Sequence, residues 1–203
     1  MEPASFPPIT PQPSEPTRFT VEQYLALVEA EELTEADRVE LLEGVIVAMT
    51  PSGIRHSSGV ARAVGALFRA VGDRAVIRPQ LPLRVGSWSL PEPDVAVLPG
   101  TLEDYDSRLP SEALLVIEVS ETSLATDRLS KARIYASSGV HEYWIVNLRE
   151  NVVELLRDPD PVTAIWRDRR VARPGETIAV AAFPDAAIRV DDLLPRGDSP
   201  GGL

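Results

Sequence analysis

Residues 113–147 read ALLVIEVSETSLATDRLSKARIYASSGVHEYWIVN, and the fold prediction depends on them. Residues 113–120 form an apolar, β-branched run that is typical of a buried strand. Residues 128–137 follow with helical spacing, and Gly139 is a residue type that ends helices. Residues 143–147 are again apolar and strand-forming. A strand, a helix and a strand in this order predict a right-handed crossover whose two strands lie parallel.

The same reasoning predicts short elements on both sides of this unit. Thr20 can cap a helix that begins after it, because Gln23 stands three residues further on. A second helix is predicted over residues 60–71, ending near Gly72. The other predicted strands are two within residues 39–49 and one each in residues 75–77, 81–85, 94–98, 152–156, 164–166 and 178–180. The predicted fold class is mixed α/β (α+β), with a central mixed β-sheet flanked by helices.

Length and composition predict one globular domain. The chain has 203 residues, of which 44% are hydrophobic and 25% charged. Proline-rich residues 1–17 predict a disordered leader and residues 195–203 a flexible tail, which leaves residues 18–194 as the folded domain. The absence of cysteine excludes disulfide scaffolds, thiolate metal sites and cysteine nucleophiles. With no apolar run of membrane-spanning length and no secretory signal, the expected location is cytoplasmic, without a membrane partner.

The charge balance restricts the function classes. A net charge of −11 argues against a protein that simply coats DNA, because such binding relies on neutralising phosphates with Lys and Arg. It does not exclude an enzyme acting on nucleic acid, since carboxylates can hold a divalent cation that reverses the local field. Of the 20 basic residues, only Lys131 is a lysine. Lys131 is therefore an unusual residue type in this chain and a candidate for a specific role.

Three acids are candidates for a metal site. Strand alternation places Glu118 on one face of its strand with Ser120, and a buried carboxylate there needs a cation, a donor or an exit to solvent. Asp94 opens another predicted strand, and Glu43 precedes Gly44 in a third strand region. Carboxylates on separate strands of one sheet can converge and bind Mg²⁺. The alternatives remain a solvent-reaching strand end for Glu118, plain turn chemistry for Asp94 and an exposed hairpin acid for Glu43.

Lys131 lies four residues after Asp127 on the predicted helix, and Tyr135 continues the same side one turn later. One interpretation is an ordinary ion pair between Asp127 and Lys131 on the helix surface. The other is that the helix leaves the end of the Glu118 strand and directs its first turns back over the carboxylates. In that position an ammonium could hold a water molecule and stabilise charge developing on a phosphate.

Several motifs together resemble the Uma-two family of restriction endonucleases, within the PD-(D/E)XK nuclease superfamily. The resemblance runs from about residue 39 to residue 147, in order and with ordinary spacing. Its most distinctive piece is the GVHEYWIV segment of residues 139–146. The motifs that carry it are Glu43-Gly44, Pro51-Ser52-Gly53 with His56, Pro93-Asp94, Val116-Ile117-Glu118 with Ser120, Asp127 with Lys131 and Tyr135, and residues 139–146.

The resemblance implies roles for these residues. It implies a restriction-endonuclease-like fold in which Asp94 and Glu118 bind the metal, with the Val119 carbonyl as a further ligand. The common superfamily pattern has a lysine two residues after the glutamate, but here Ser120 stands there. In the Uma-two family the lysine resides on the following helix, where Lys131 fits. The remaining site candidates that the resemblance implies are the acid Glu43 and the lining residues His56, Ser120, Asp127 and Tyr135.

The resulting hypothesis is a metal-dependent endonuclease, a hydrolase of phosphodiester bonds in nucleic acid, with DNA as its transient partner. The expected cofactor is Mg²⁺ or Mn²⁺, and no covalent enzyme adduct is expected because no Ser, Cys or His arrangement favours one. The sequence leaves the oligomeric state open; a homodimer would fit, because nucleases that cut both strands often pair by two-fold symmetry. Two alternatives remain: a catalytically silent nuclease fold that binds a protein partner, and a metallohydrolase of small phosphoesters.

Overall fold

The structure, a computed structural model, describes residues 18–196. The predicted leader and residues 197–203 of the predicted tail lie outside the described residues. The helices are α1 (Val21–Glu29), α2 (Ile54–Val71), α3 (Leu124–Thr126), α4 (Ala132–Ala136) and α5 (Val190–Leu193), with a π-helical segment, Asp127–Lys131, between α3 and α4. The strands are β1 (Val39–Leu42), β2 (Val45–Ala48), β3 (Val76–Pro79), β4 (Val95–Leu98), β5 (Glu112–Ala113), β6 (Leu115–Ser120), β7 (Gly139–Val140), β8 (Glu142–Asn147), β9 (Val152–Asp160), β10 (Ile165–Ala172), β11 (Thr177–Ala179) and β12 (Ala187–Arg189).

Six strands form the central sheet, in the order β10-β9-β8-β6-β4-β3. Strands β6 and β8 are parallel, whereas every other neighbouring pair in this sheet is antiparallel. The parallel pair is the one that residues 113–147 predict, because the chain leaves β6, passes through α3 and α4, and returns as β8. The predicted mixed α/β class, with a mixed sheet flanked by helices, is therefore confirmed.

The two faces of the central sheet carry separate apolar clusters. Leu115 and Ile117 of β6 pack in the cluster that includes Leu67 of α2. Val116, between them in sequence, packs on the opposite side with Tyr135 of α4. The alternation follows from the two-residue period of a strand. Among the helices of residues 18–196, none combines the length and the apolarity that crossing a membrane requires.

Some predicted element bounds differ from the structure. Residues 81–85 do not form a strand and contribute only an isolated bridge between Val85 and Ser89. Their apolar pattern reflects the burial of Leu83 and Val85 under the sheet. Strands β9 and β10 extend beyond the predicted residues 152–156 and 164–166, because the hairpin continues through polar, exposed positions that carry no apolar periodicity.

Gly59 of α2 allows the helix to lie close against β6. A Cβ atom at this position would stand 2.7 Å from Val119 Cγ1, whereas a Cβ at Gly65 of the same helix would meet only Arg69 Nη1, at 3.4 Å. We therefore expect Gly59→Ala to lower the free energy of unfolding by about 1–3 kcal/mol through overpacking. Gly65→Ala, the matched control, should raise it by about 0.5–1 kcal/mol through helix propensity. Urea unfolding of both variants measures this, and equal stabilisation by the two substitutions would contradict the close contact.

Candidate metal and phosphodiester site

Strand register brings Asp94 and Glu118 side by side. Strands β4 and β6 are antiparallel with Val95 opposite Ile117, so the next pair outward joins Asp94 to Glu118. Residues opposite each other in such a pair have Cβ atoms about 4.5–5.5 Å apart. Both carboxylates are buried. Two acids from different strands therefore share one point at the end of the sheet.

The Asp94 carboxylate is oriented by two donors. Its Oδ2 atom accepts a hydrogen bond of 2.8 Å from the Val119 backbone N–H. The same oxygen lies 3.1 Å from Nε2 of His56, which stands in the first turn of α2. The N-cap of this helix is Gly53, so His56 lines the site and does not cap the helix.

Lys131 lies in the π-helical segment and reaches two carboxylates. Its Nζ atom lies 3.0 Å from Glu118 Oε1 and 3.4 Å from Glu40 Oε1. The Tyr135 hydroxyl donates to the same Glu118 oxygen at 2.8 Å. Both the ammonium and the hydroxyl are buried, although Lys131 stands at the wall of an open cleft. The only lysine of the chain thus joins two acids that lie on different strands.

The π-helical segment explains why Lys131 does not form the surface ion pair that its spacing allows. Regular helical spacing would stack Asp127 and Lys131 on one face, but the backbone N–H of Ala132 donates to the Asp127 carbonyl five residues earlier. No ion pair within 4 Å joins Asp127 and Lys131 among the described residues, whereas Lys131 pairs with Glu118 and Glu40. Asp127 instead accepts a 2.6 Å hydrogen bond from Ser123 Oγ.

Glu40 is a site residue that the sequence reasoning missed, and it lies where Glu43 was expected. Glu40 is buried on β1, and its second oxygen accepts from the Glu92 backbone N–H at 3.3 Å. Glu43 stands in the two-residue turn between β1 and β2, with φ values of 49° for Glu43 and 83° for Gly44. Its exposed carboxylate pairs with Arg133. The structure therefore brings Glu40 to Lys131 and leaves Glu43 at the exposed rim of the cleft, paired with Arg133.

One signal in the sequence could have identified Glu40. Residues 39–42 read VELL, and in a strand with apolar residues on both sides of it a lone acid is the unexpected residue type. Glu43, by contrast, precedes glycine, which favours a turn. The structure agrees with the alternative of an exposed hairpin acid for Glu43.

Ser120, a predicted lining residue, and His141, the second histidine of the chain, differ in burial. Ser120 is fully buried, and its Oγ atom has no hydrogen-bond partner among the described residues. It lies on the Glu118 face of β6 and is a short neutral side chain there. His141 is exposed and pairs with Glu112 at 3.4 Å, away from the cleft.

Acidic side chains outnumber basic ones in the group formed by Glu40, Asp94, Glu118, Asp127 and Lys131. Burial raises the pKa of Glu118 to about 8, and the Lys131 ammonium opposes this rise. Burial also raises the pKa of Asp94 and of Asp127. For Lys131, burial lowers the pKa, but Glu118 and Glu40 more than offset this and its pKa is raised. Lys131 therefore stays protonated, and it is the one basic side chain in this group of four acids.

The donor chemistry of this group fits a hard divalent cation. Within residues 18–196, no three His, Asp or Glu side chains are already arranged as a ligand set. His56 contacts one oxygen of Asp94, and Lys131 and Tyr135 both contact one oxygen of Glu118. The available ligands are nevertheless carboxylate and carbonyl oxygens carrying surplus negative charge, which suits Mg²⁺ or Mn²⁺.

A cleft of about 990 Å³ opens over these side chains. The β1–β2 hairpin, α1, the first turn of α2 and the residues after β6 contribute its walls. Further acids line it, namely Glu35, Glu43, Glu92 and Glu121, against the single arginine Arg38. A negatively charged substrate therefore meets an acidic opening, and access for such a substrate requires positive charge from a cation or a neighbouring surface.

The family model that matches residues 21–191 is Uma2, described as “Putative restriction endonuclease”. This description defines the class of the protein as a restriction-endonuclease-like nuclease, which is a class of hydrolases. The chain belongs to the Uma2 family. The resemblance carried by residues 43–146 is thereby confirmed.

The chain is also similar to solved structures. A “putative nuclease belonging to DUF820” from Anabaena variabilis ATCC 29413 is 17% identical, with a TM-score of 0.68 over 86% of this chain and 97% of that chain. This likeness shows a shared fold. The type IIG restriction endonuclease BpuSI is 19% identical over 75% of this chain and 17% of that chain, with a TM-score of 0.40 that is too low to define a common fold. No curated protein matches the chain.

Proposed function

We propose that this protein is a divalent-metal-dependent nuclease that hydrolyses phosphodiester bonds in nucleic acid, with DNA as its substrate. The observation that carries the proposal is the meeting of Asp94, Glu118 and Lys131, from three separate elements, in one acidic cleft. Membership of a restriction-endonuclease-like family supports the reaction class. Under this proposal Asp94 and Glu118 are the acids of a PD-(D/E)XK motif, and Lys131 replaces the lysine whose usual position holds Ser120.

The carboxylates of Asp94 and Glu118, with the Val119 carbonyl, would hold Mg²⁺ or Mn²⁺. When bound, such a cation supplies Lewis-acid activation of the phosphodiester and offsets the surplus negative charge of the cleft. His56 keeps the Asp94 carboxylate in place through its 3.1 Å contact. The hydrogen bond from the Val119 N–H does the same from within β6.

Lys131 supplies the positive charge that the chain itself brings to the reaction. Held between Glu118 and Glu40, its ammonium is a donor that orients the attacking water and stabilises charge developing on the phosphate oxygens. Tyr135 shares Glu118 with it and limits how far that carboxylate can rotate. Hydrolysis is direct, because no side chain in the group forms a nucleophile–base pair of the kind that covalent catalysis needs.

Supercoiled plasmid tests the proposal, with two glutamates of the same hairpin as matched variants. Purified protein should nick plasmid in Mg²⁺ or Mn²⁺ and leave it intact in EDTA. Glu40→Gln should lower the nicking rate about tenfold or more, because Lys131 loses one of its two charged partners. Glu43→Gln should leave the rate unchanged, since this carboxylate pairs with Arg133 at the surface.

Gel analysis of nicked and linear plasmid over time measures both rates. A wild-type protein that never nicks plasmid, with either metal, would reject the proposed function. If Glu43→Gln lowers the nicking rate and Glu40→Gln does not, the proposed function stands but the proposed site is wrong.

A further inference from the structure

Helix α2 has a charge opposite to that of the chain as a whole. The protein carries 31 Asp and Glu against 20 Lys and Arg. Yet α2, IRHSSGVARAVGALFRAV, contains three arginines, Arg55, Arg62 and Arg69, one histidine and no acidic residue over its 18 residues. An 18-residue element without acids is unexpected in so acidic a chain. The first turn of this helix lines the acidic cleft, so its positive charge lies next to the cleft.

The three arginines form one row along the side of the helix that faces away from the core, here called the arginine stripe; Arg55 and Arg69 are exposed and Arg62 is half-buried. They are spaced by seven residues, nearly two turns, so successive members lie about 10 Å apart along the axis. The core-facing row, which includes Val60, Ala63, Leu67 and Val71, occupies a different side. Beside the stripe stand small residues, Ser58, Ala61 and Gly65, so a ligand could approach the helix backbone closely.

The arginine stripe begins at the cleft. The guanidinium of Arg55 lies 3.5 Å from Glu121, a residue that lines the cleft, and donates to the Leu148 carbonyl at 3.3 Å. His56, the next residue, contacts Asp94. The stripe and the acid group are therefore continuous along the first turns of α2.

Two members of the stripe have no acidic partner. Within residues 18–196, neither Arg62 nor Arg69 forms an ion pair, whereas Arg167 and Arg170 of the arginine-rich strand β10 both pair with acids. The hollow of about 540 Å³ beside Arg62 is lined by Arg189 and Arg196 as well as by Asp191 and Asp192. Asp191 accepts from the Gly175 N–H and lies 3.6 Å from Arg189. Positive charge thus remains available along α2.

We infer, on the basis of the proposed nuclease function, that the arginine stripe of α2 binds the sugar-phosphate backbone of the nucleic acid and leads it to the cleft. Arginine side chains on an exposed helix face neutralise phosphates without reading sequence. The stripe supplies the local positive field that an acidic cleft lacks. Arg62 and Arg69 contact phosphates, and Arg55 stands where the backbone passes from α2 to the acid group.

Binding measured without hydrolysis tests this inference. A fluorescein-labelled DNA duplex is titrated with full-length protein in EDTA, by anisotropy at several salt concentrations. The double variant Arg62→Gln/Arg69→Gln should bind about tenfold or more weakly, and the slope of log affinity against log salt should fall by about 1.8 for two lost phosphate contacts. The control Arg169→Gln/Arg173→Gln removes the same charge from exposed residues elsewhere and should change the slope by less than half as much.

A second measurement separates this inference from the proposed function. Hydrolysis of bis(p-nitrophenyl) phosphate with Mn²⁺ needs the acid group but no extended backbone contact, so the α2 double variant should retain the wild-type rate. Two results would overturn the arginine stripe as the binding surface. In the first, wild-type protein hydrolyses this ester but does not bind duplex. In the second, the two double variants lose the same amount of affinity. Duplex binding that depends on the stripe in a protein without hydrolytic activity would reject the nuclease function and leave the binding surface in place.

Discussion

Replacing Lys131 with methionine is expected to lower the rate of plasmid nicking by at least about 100-fold, the usual cost of losing one preorganised charged donor. The substitution keeps the length and the apolar stem of the side chain while removing the ammonium that contacts Glu118 and Glu40. Initial rates with saturating Mg²⁺ measure the effect. Arg133→Met is the matched control, because Arg133 lies on the same helical run, pairs with Glu43 at the surface and does not contact the acid group.

The same substitution should also lower stability, and the loss should grow with pH. Breaking a buried ion pair by removing one partner costs about 3–5 kcal/mol. Glu118 binds its proton more tightly in the folded state, with a pKa of about 8, than at its ordinary value of 4.5. Stability therefore falls as pH rises through that window, and without the ammonium, which lowers the pKa of Glu118, the fall continues to higher pH. Thermal unfolding at several pH values measures this; an unchanged nicking rate with Lys131→Met would remove the lysine from the mechanism.

Glu118→Gln is expected to lower activity and to remove the pH dependence of stability that Glu118 causes. Nicking should fall at least about 100-fold, because a ligand to the cation is lost. The affinity for Mn²⁺, measured by calorimetry, should fall as well. In the absence of metal, the stability of the variant should fall less than that of wild type as pH rises from about 4.5 to about 8, because glutamine does not titrate.

The sign of this stability difference follows from the pKa of Glu118. Between about pH 4.5 and 8 the wild-type carboxyl is ionised in the unfolded chain but still protonated in the folded protein, so stability falls as pH rises, whereas glutamine does not ionise in either state. The stability of the variant relative to wild type should therefore increase with pH across this window. Glu112→Gln, an exposed residue of β5 that pairs with His141, is the control and should alter neither stability nor metal binding. A Glu118→Gln protein that binds Mn²⁺ as wild type does would exclude Glu118 as a ligand.

Residues 113–147 show how much of the fold local pattern can predict. The apolar run of residues 113–120, the helical spacing that follows and the second apolar run are enough to predict β6, the helical connection and β8 in parallel. The alternation within β6 also predicts that Glu118 and Ser120 share a face, as they do. These features depend on residues that lie close together in the sequence, so local patterns can predict them.

The choice between Glu40 and Glu43 shows where such reasoning ends. Both acids lie in the same short hairpin, and their spacing from Asp94 along the chain does not distinguish them. Glu40 enters the group because β1 is covered on both sides, and Glu43 stays outside because the turn holds it next to Arg133. The packing of the hairpin against the rest of the domain makes this choice.

The sequence by itself determined the mixed α/β class, the parallel crossover, the family and the unusual status of a single lysine, because periodicity, turn residues and residue type act locally. Only the tertiary structure decided which acids surround that lysine, and that the π-helical turn directs it towards Glu118 and Glu40 and not towards Asp127. The physical reason is that burial and charge compensation depend on strands and helices far apart in the chain meeting at one point, and no local pattern records that meeting.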